Sequence, residues 1–152
     1  MARVEVCVHI EAPPERVWDV LVDWENQPRW MVDARGVRVV SRHREGVGVV
    51  LHCPTNIIAG IVVTDVLVIT EWQPQRRIGV RHDGWLIRGS GAFELAATAG
   101  GTRFTWREQI DAPLGPLGEV AARTLAVPHV RRVFRRSLAG LRRTCEDRGV
   151  RR

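Results

Sequence analysis

From Arg3 to Ile10 the chain alternates strictly, with Val4, Val6, Val8 and Ile10 on one side and Arg3, Glu5, Cys7 and His9 on the other. A period of two over eight residues predicts a half-buried strand. Ala12-Pro13-Pro14-Glu15 then suits the first turn of a helix, where proline is tolerated and an acid meets the positive end of the dipole. Val17, Trp18, Leu21 and Val22 give that helix one apolar face. A second short helix or turn is expected over 24–30, interrupted by Pro28. Gly36 and the pair Gly46/Gly48 bound two strands, near 37–42 and 47–53, and Pro54-Thr55-Asn56 is expected to break the second. Residues 61–72 form a long strand that is apolar on both faces, so it is predicted to be central. Gln73-Pro74-Gln75 is a turn, 77–82 a strand, Asp83-Gly84 a hairpin signal into 85–97, and Ala99-Gly100-Gly101 another into 102–110. Asp111-Ala112-Pro113 ends the run.

The last third changes period. After Pro128, Val130, Val133, Phe134, Ser137, Leu138, Leu141 and Cys145 recur at spacings of three and four, with Arg131, Arg132, Arg135, Arg136, Arg142 and Arg143 on the other side. This predicts a long amphipathic helix spanning roughly 117–148. Before the proline a separate stripe runs through Leu117, Val120, Ala121, Thr124 and Leu125. Continued in register it would land on Pro128, Arg131, Arg132 and Arg135, so the two halves do not share a face. A break is expected at Pro128, whose ring removes a hydrogen bond and clashes with the preceding turn. The order β-α-α-β-β-β-β-β-β-α, with hairpin-linked strands, is an α+β pattern: an antiparallel sheet around one helix, enclosing a pocket.

With 152 residues, one domain over 1–152 is expected. No run of 18 apolar residues suggests a membrane span. The opening residues read as a strand, not a signal peptide, and Cys7, Cys53 and Cys145 are an odd, widely spaced set. The expectation is a cytoplasmic protein with reduced, buried thiols. All 23 basic residues are arginine. From Leu117 onward ten arginines face three acids, whereas the rest of the chain has thirteen arginines and fourteen acids. The positive excess therefore sits on the last helix and tail. It suits an acidic carrier protein, an anionic surface or nucleic acid; equally, it is a solvated face that complements the helix dipole. Nucleic acid ranks last, because the arginines lack interleaved aromatics on a groove-binding helix.

Several motifs carry a resemblance: Val6 to Leu21 (V-x-V-x-I-x-A-P-P-E-R-V-W-D-V-L), Asp23-Trp24-Glu25-Asn26-Gln27-Pro28-Arg29-Trp30, Gly46-Val47-Gly48, Thr70-Glu71-Trp72-Gln73-Pro74, Gly101 to Trp106, and Phe134-x-x-Ser137-Leu138-x-x-Leu141. In this order, over nearly the whole chain, they resemble the polyketide cyclase/dehydrase branch of the SRPBCC (START-like, helix-grip) superfamily. The resemblance implies a curved seven-stranded antiparallel sheet gripping the C-terminal helix, two short helices at one end, and an apolar cavity between sheet and helix. Aromatase/cyclases of this kind use polar cavity residues including tyrosine and an inward arginine. This chain has no tyrosine and no arginine in 61–72, so no catalytic residue is carried across.

The candidate chemistry follows from strand parity. Phe104, Trp106, Glu108 and Ile110 share a face, which makes Glu108 an acid carried inward, where burial raises a carboxyl's pKa and fits it for proton transfer. The alternative is a rim glutamate paired with an arginine. His82 shares a face with Ile78 and Val80 and titrates near neutrality; it is either a core or rim residue or a proton carrier. Trp85, Ile87, Gly89, Gly91, Phe93 and Leu95 share the face of the next strand, where the glycines leave room for a ligand or for the crossing helix. Trp30 and Met31 are placed at the cavity entrance by the resemblance. Ser137 offers a ligand a hydroxyl or bonds back to its own helix. The predicted site is thus His82 and Glu108 as proton-transfer groups, with Trp30, Met31, Trp85, Gly89, Phe93, Trp106, Phe134 and Ser137 around the ligand. Cys7, His9, His52 and Cys53 lack C-x-x-C or H-x-x-x-H spacing, and no P-loop, nucleotide fingerprint or G-x-S-x-G occurs, so no metal or cofactor is expected. Two functions remain. One is a cyclase/dehydrase acting on a polyketide-type intermediate, for which the arginine-rich helix offers a docking face to an acyl carrier protein. The other is a non-catalytic binder or transporter of a lipid or isoprenoid. Either a monomer or a homodimer is compatible.

Overall fold

The computed structural model describes residues 2–111 and 115–147. Seven strands form one curved antiparallel sheet in the order β1-β7-β6-β5-β4-β3-β2. They are β1 (Ala2–Ile10), β2 (Arg38–Val39), β3 (Val50–Ile58), β4 (Ile61–Gln73), β5 (Arg77–Asp83), β6 (Arg88–Thr98) and β7 (Gly101–Ile110). Helix α1 (Pro14–Val22) and a 3₁₀ helix (Trp24–Arg29) follow β1, and α2 (Gly115–Ala121), a π-helical turn (Ala122–Ala126) and α3 (Val127–Glu146) close the fold. The helix-grip α+β architecture inferred from the sequence is the one observed.

Four local expectations are corrected. Pro54 does not end β3, which runs on to Ile58. At that point the outer edge of β3 faces only a loop: Arg35 donates to the Pro54 carbonyl at 2.7 Å and Asn56 donates to the Asp33 carbonyl at 2.8 Å. Pro54's nitrogen points to that same side, so it forfeits no bond to β4. The turn is instead Ala59-Gly60, both at positive φ (47° and 80°), the geometry of a tight two-residue hairpin. The strand expected at 37–42 shrinks to the two-residue β2. The strand expected from 85 begins at Arg88, and Trp85 sits in the connection, 79% exposed, rather than on an inward strand face.

The predicted stripe of α3 is buried at Phe134, Ser137, Leu138, Leu141 and Cys145 and half-buried at Val130 and Val133, and the helix lies against β1 and α1. Gly140 lets the 3₁₀ segment approach; a Cβ there would stand 2.9 Å from the Trp30 carbonyl oxygen. The break before Pro128 takes the form of a π-turn, in which the Thr124 hydroxyl donates to the Val120 carbonyl at 2.9 Å. Leu117, Val120 and Leu125 of the first stripe are exposed. The predicted helix end at Arg148, and Ala112 and Pro113 of the preceding turn, lie outside the described residues. Cys7 is exposed, while Cys53 and Cys145 are buried and all three are free thiols, so the expectation of buried thiols holds for two. No helix among the described residues is long and apolar enough to cross a membrane.

Candidate active site

Strand register brings four inward side chains, those of Cys53, Asp65, His82 and Glu108, into one row. Cys53 of β3 pairs with Asp65 of β4, His82 of β5 pairs with Gly89 of β6, and Gly91 of β6 pairs with Glu108 of β7. Because Gly89 and Gly91 carry no side chains, the His82 ring spans β6 and reaches Glu108 two strands away. Its Nδ1 lies 2.7 Å from Asp65 Oδ2 and its Nε2 lies 2.9 Å from Glu108 Oε2. Trp106 Nε1 donates to the other Glu108 oxygen at 2.9 Å. The space over Gly91 is filled by that carboxylate: a Cβ there would stand 2.5 Å from Oε1. Gly91 therefore makes room for an internal side chain, whereas Gly89, at φ 138°, is required by the β7 main chain, since a Cβ there would stand 1.9 Å from the Gln109 carbonyl oxygen.

The electrostatics follow from burial. Only 9% of the His82 side chain is exposed, against 8% and 7% for its two partners. Burial alone would push the imidazole down, but the hydrogen bonds and charges of Asp65 and Glu108 outweigh it and hold the pKa at about 10. At neutral pH His82 is an imidazolium donating both N–H groups to carboxylates. Asp33 closes the cluster. Burial pushes its carboxyl above the ordinary range, its backbone hydrogen bond opposes this, and the charges of Glu108 and Asp65 push it further up. Burial likewise holds the Cys53 thiol at about 11 despite its bond from Thr55, so it is protonated and no nucleophile at neutral pH.

Aromatic rings fill the interior behind this row. Trp106 stacks on Phe134 with centroids 3.7 Å apart and planes 9° apart. Phe93 and Trp30 each pack edge-on against Trp106 and also meet each other, with centroids 6.2 Å apart. Ser137 is fully buried and accepts a hydrogen bond from the Val32 N–H at 3.0 Å, so its hydroxyl anchors the segment after Trp30 to α3 instead of facing a ligand. That segment is also stitched to β3 through Ala34 and Thr55, which places Asp33 as a wall of the site. Met31 is half-buried against the core. The row lies toward the end of the sheet where the β3–β4 turn, the β5–β6 connection and the end of β7 converge. Ile61, Val62 and Trp85 are exposed there.

The predicted pair His82 and Glu108 is thus in direct contact, and Glu108 is held by a histidine, not an arginine. Trp30, Phe93, Trp106 and Phe134 meet behind the pair; Gly89 lies beneath it; Trp85 is at the rim and Ser137 is turned away. Asp65, Asp33 and Cys53 were not among the predicted site residues. Asp65 shares strand parity with Val63, Leu67 and Ile69, which signals an inward acid; Asp33 lies in a loop with no periodicity to place it. A groove of about 680 Å³ is lined by Gly79, Ser90 and Ala92 and also by Val80, Gly91 and Glu108 of the inner face and Arg131 of α3. Its Arg77 and Arg107 are paired with Glu71, Glu94 and Glu5. Those charges are compensated and partly solvated, so the chemistry is assigned to the inner row.

Residues 1–146 match the family model described as "Polyketide cyclase / dehydrase and lipid transport", and the chain belongs to that family. No curated protein matches the chain in sequence. The fold is similar to that of the protein TTHA0849 from Thermus thermophilus, with TM-score 0.82, 20% identity, and coverage of 98% of this chain and 100% of that one. A START superfamily protein from Mycobacterium smegmatis aligns with TM-score 0.67 and 16% identity over 96% of this chain and 95% of that one. The Aha1 dimer from Colwellia psychrerythraea aligns with TM-score 0.69 and 15% identity over 99% and 100%. At these identities the likeness concerns the fold.

Proposed function

We propose that the protein binds a hydrophobic, polyketide-type intermediate at the open end of the sheet and promotes its cyclisation or dehydration by proton transfer. The observation that carries this reading is the buried Asp65–His82–Glu108 chain, an ionised relay set against aromatic walls. Family membership supports a hydrophobic small-molecule ligand. Because both His82 nitrogens are committed, the base is a carboxylate. Asp65 Oδ1, which has no hydrogen-bond partner, is the acceptor best placed to take a proton. It would remove a proton from the carbon between two ketones, giving an enolate. The enolate carbon then bonds to a second carbonyl carbon, whose oxygen takes back the proton held by the carboxyl and becomes a hydroxyl. The regenerated carboxylate removes a further α-proton and passes it to that hydroxyl, which departs as water and completes the dehydration. Holding the chain folded supplies the larger share of the acceleration.

The second reading is a non-catalytic binder or lipid carrier. It is favoured by the same double engagement of His82, since a fully paired relay also serves as a structural clasp. Turnover of a tetraketide thioester by Asp65→Asn and Glu108→Gln separates the two. The catalytic reading expects losses of ~10²–10⁴-fold, with affinity for an apolar fluorescent probe unchanged. Undiminished turnover in both variants would remove it and leave the carrier reading. The exposed arginines of α3 (Arg131, Arg132, Arg135 and Arg136) support docking of an acidic acyl carrier protein in the catalytic case.

A further inference from the structure

Buried polar side-chain atoms in a folded protein are nearly always hydrogen-bonded. Elsewhere in this interior the rule holds: Gln27 donates to the Leu21 carbonyl, Thr102 to the Ala12 carbonyl, and Ser137 accepts from Val32. Four buried side-chain atoms among the described residues break it: Trp30 Nε1, Asp33 Oδ1, Asn56 Oδ1 and Asp65 Oδ1. Three of them, on Trp30, Asp33 and Asp65, belong to one neighbourhood; Asn56, opposite Val62, has the other strand parity. Asp33 is close enough to Asp65 and Glu108 to feel both charges. Trp30 packs edge-on against Trp106, the tryptophan that holds Glu108. Trp30 and Asp65 are only 2% and 6% exposed, so solvent does not complete their valences.

The character of these three atoms selects the chemistry. Asp33 Oδ1 and Asp65 Oδ1 are acceptors and Trp30 Nε1 is a donor. Three carboxyls stand around a single imidazolium, and the arginines of the sheet lie on its other face. We infer that this site takes a ligand whose inner polar end donates hydrogen bonds, as a hydroxyl or a protonated amine, and that it discriminates against carboxylates. This rests on the reading that the site binds a small hydrophobic molecule, and it names the end that molecule must present. A hydroxyl or ammonium bridges Asp33 and Asp65 while its apolar body lies toward the rim; a carboxylate would set a further acidic group beside these carboxyls and leave both acceptors unpaired.

The test uses the intact protein at pH 7 and four probes of one shape: 1-methylnaphthalene, 1-naphthylmethanol, 1-naphthylmethylamine and 1-naphthoate, titrated calorimetrically. The alcohol or the amine should bind at least tenfold tighter than methylnaphthalene. The carboxylate should be weaker than the better donor by about a hundredfold, the scale of a like charge ~6 Å away at an effective dielectric near 20. An amine preference that falls about tenfold in Asp33→Asn assigns a cationic ligand; an alcohol preference that survives the substitution assigns a neutral hydroxyl. Naphthoate binding as tightly as the donors overturns the inference while leaving the hydrophobic-binding reading standing. Tight methylnaphthalene binding with no gain from either donor overturns it as well. Failure of all four to bind removes the parent reading and the inference together.

Discussion

A histidine clamped between two buried carboxylates should write itself into the pH dependence of stability. In the unfolded chain His82 loses its proton near pH 6.5; in the fold it holds it until about pH 10. A raised pKa contributes stability that is complete below 6.5 and is lost as pH rises through 10. Between those values only the folded state binds the proton, so the loss approaches about 1.4 kcal/mol per pH unit. From pH 7 to 8.5 this amounts to about 2 kcal/mol, a large part of the ~5–15 kcal/mol typical of a domain. The buried thiols of Cys53 and Cys145, raised from 9.0 to about 11 and about 12, add to the decline only near the top of this window, and do so equally in the native protein and the variant. Urea unfolding at pH 6, 7, 7.75 and 8.5, extrapolated to water, should show this decline in the native protein and not in His82→Gln. The variant should start ~3–5 kcal/mol less stable, since two buried carboxylates lose their cation. If it does not fold, ¹⁵N shifts of the native imidazole suffice: both nitrogens should stay protonated through pH 8.5. Parallel stability curves, or a ring that deprotonates near pH 6.5, would refute the relay as described.

Two further outcomes follow from the same geometry. Gly91→Ala places a methyl about 2.5 Å from the Glu108 carboxylate and should displace it from Trp106 and His82; a destabilisation of ~1–3 kcal/mol with a lowered His82 pKa is expected, readable by melting and by the same nitrogen shifts. If the α3 arginines dock an acidic carrier protein, affinity should drop steeply between 50 and 500 mM salt in calorimetry, because exposed charges are screened beyond ~10 Å at 0.1 M; salt-independent association would discard that partner.

The architecture could be read from the chain because its signals are local. Alternation over 3–10, the glycine-bearing turns near 83 and 100, and the three-four spacing after Pro128 each report on a few neighbouring residues, and strand parity alone put His82 and Glu108 on the inner face. The signals failed where a neighbour decided the outcome. Pro54 continues its strand because the adjoining edge makes no demand on its nitrogen, and the stripe from Leu117 to Leu125 is amphipathic yet unburied.

What the chain determined by itself is which faces turn inward and that two ionisable groups turn with them, since side-chain direction follows from backbone period. What only the folded arrangement decided is that these groups touch. Asp65, His82 and Glu108 are separated by 17 and 26 residues, and a hydrogen bond over such distances depends on strand order and register. The same closure changes their chemistry: removed from water and set within 3 Å of a carboxylate on each side, the histidine that would titrate near neutrality becomes a fixed cation, and the proton-accepting role passes to the carboxylates around it.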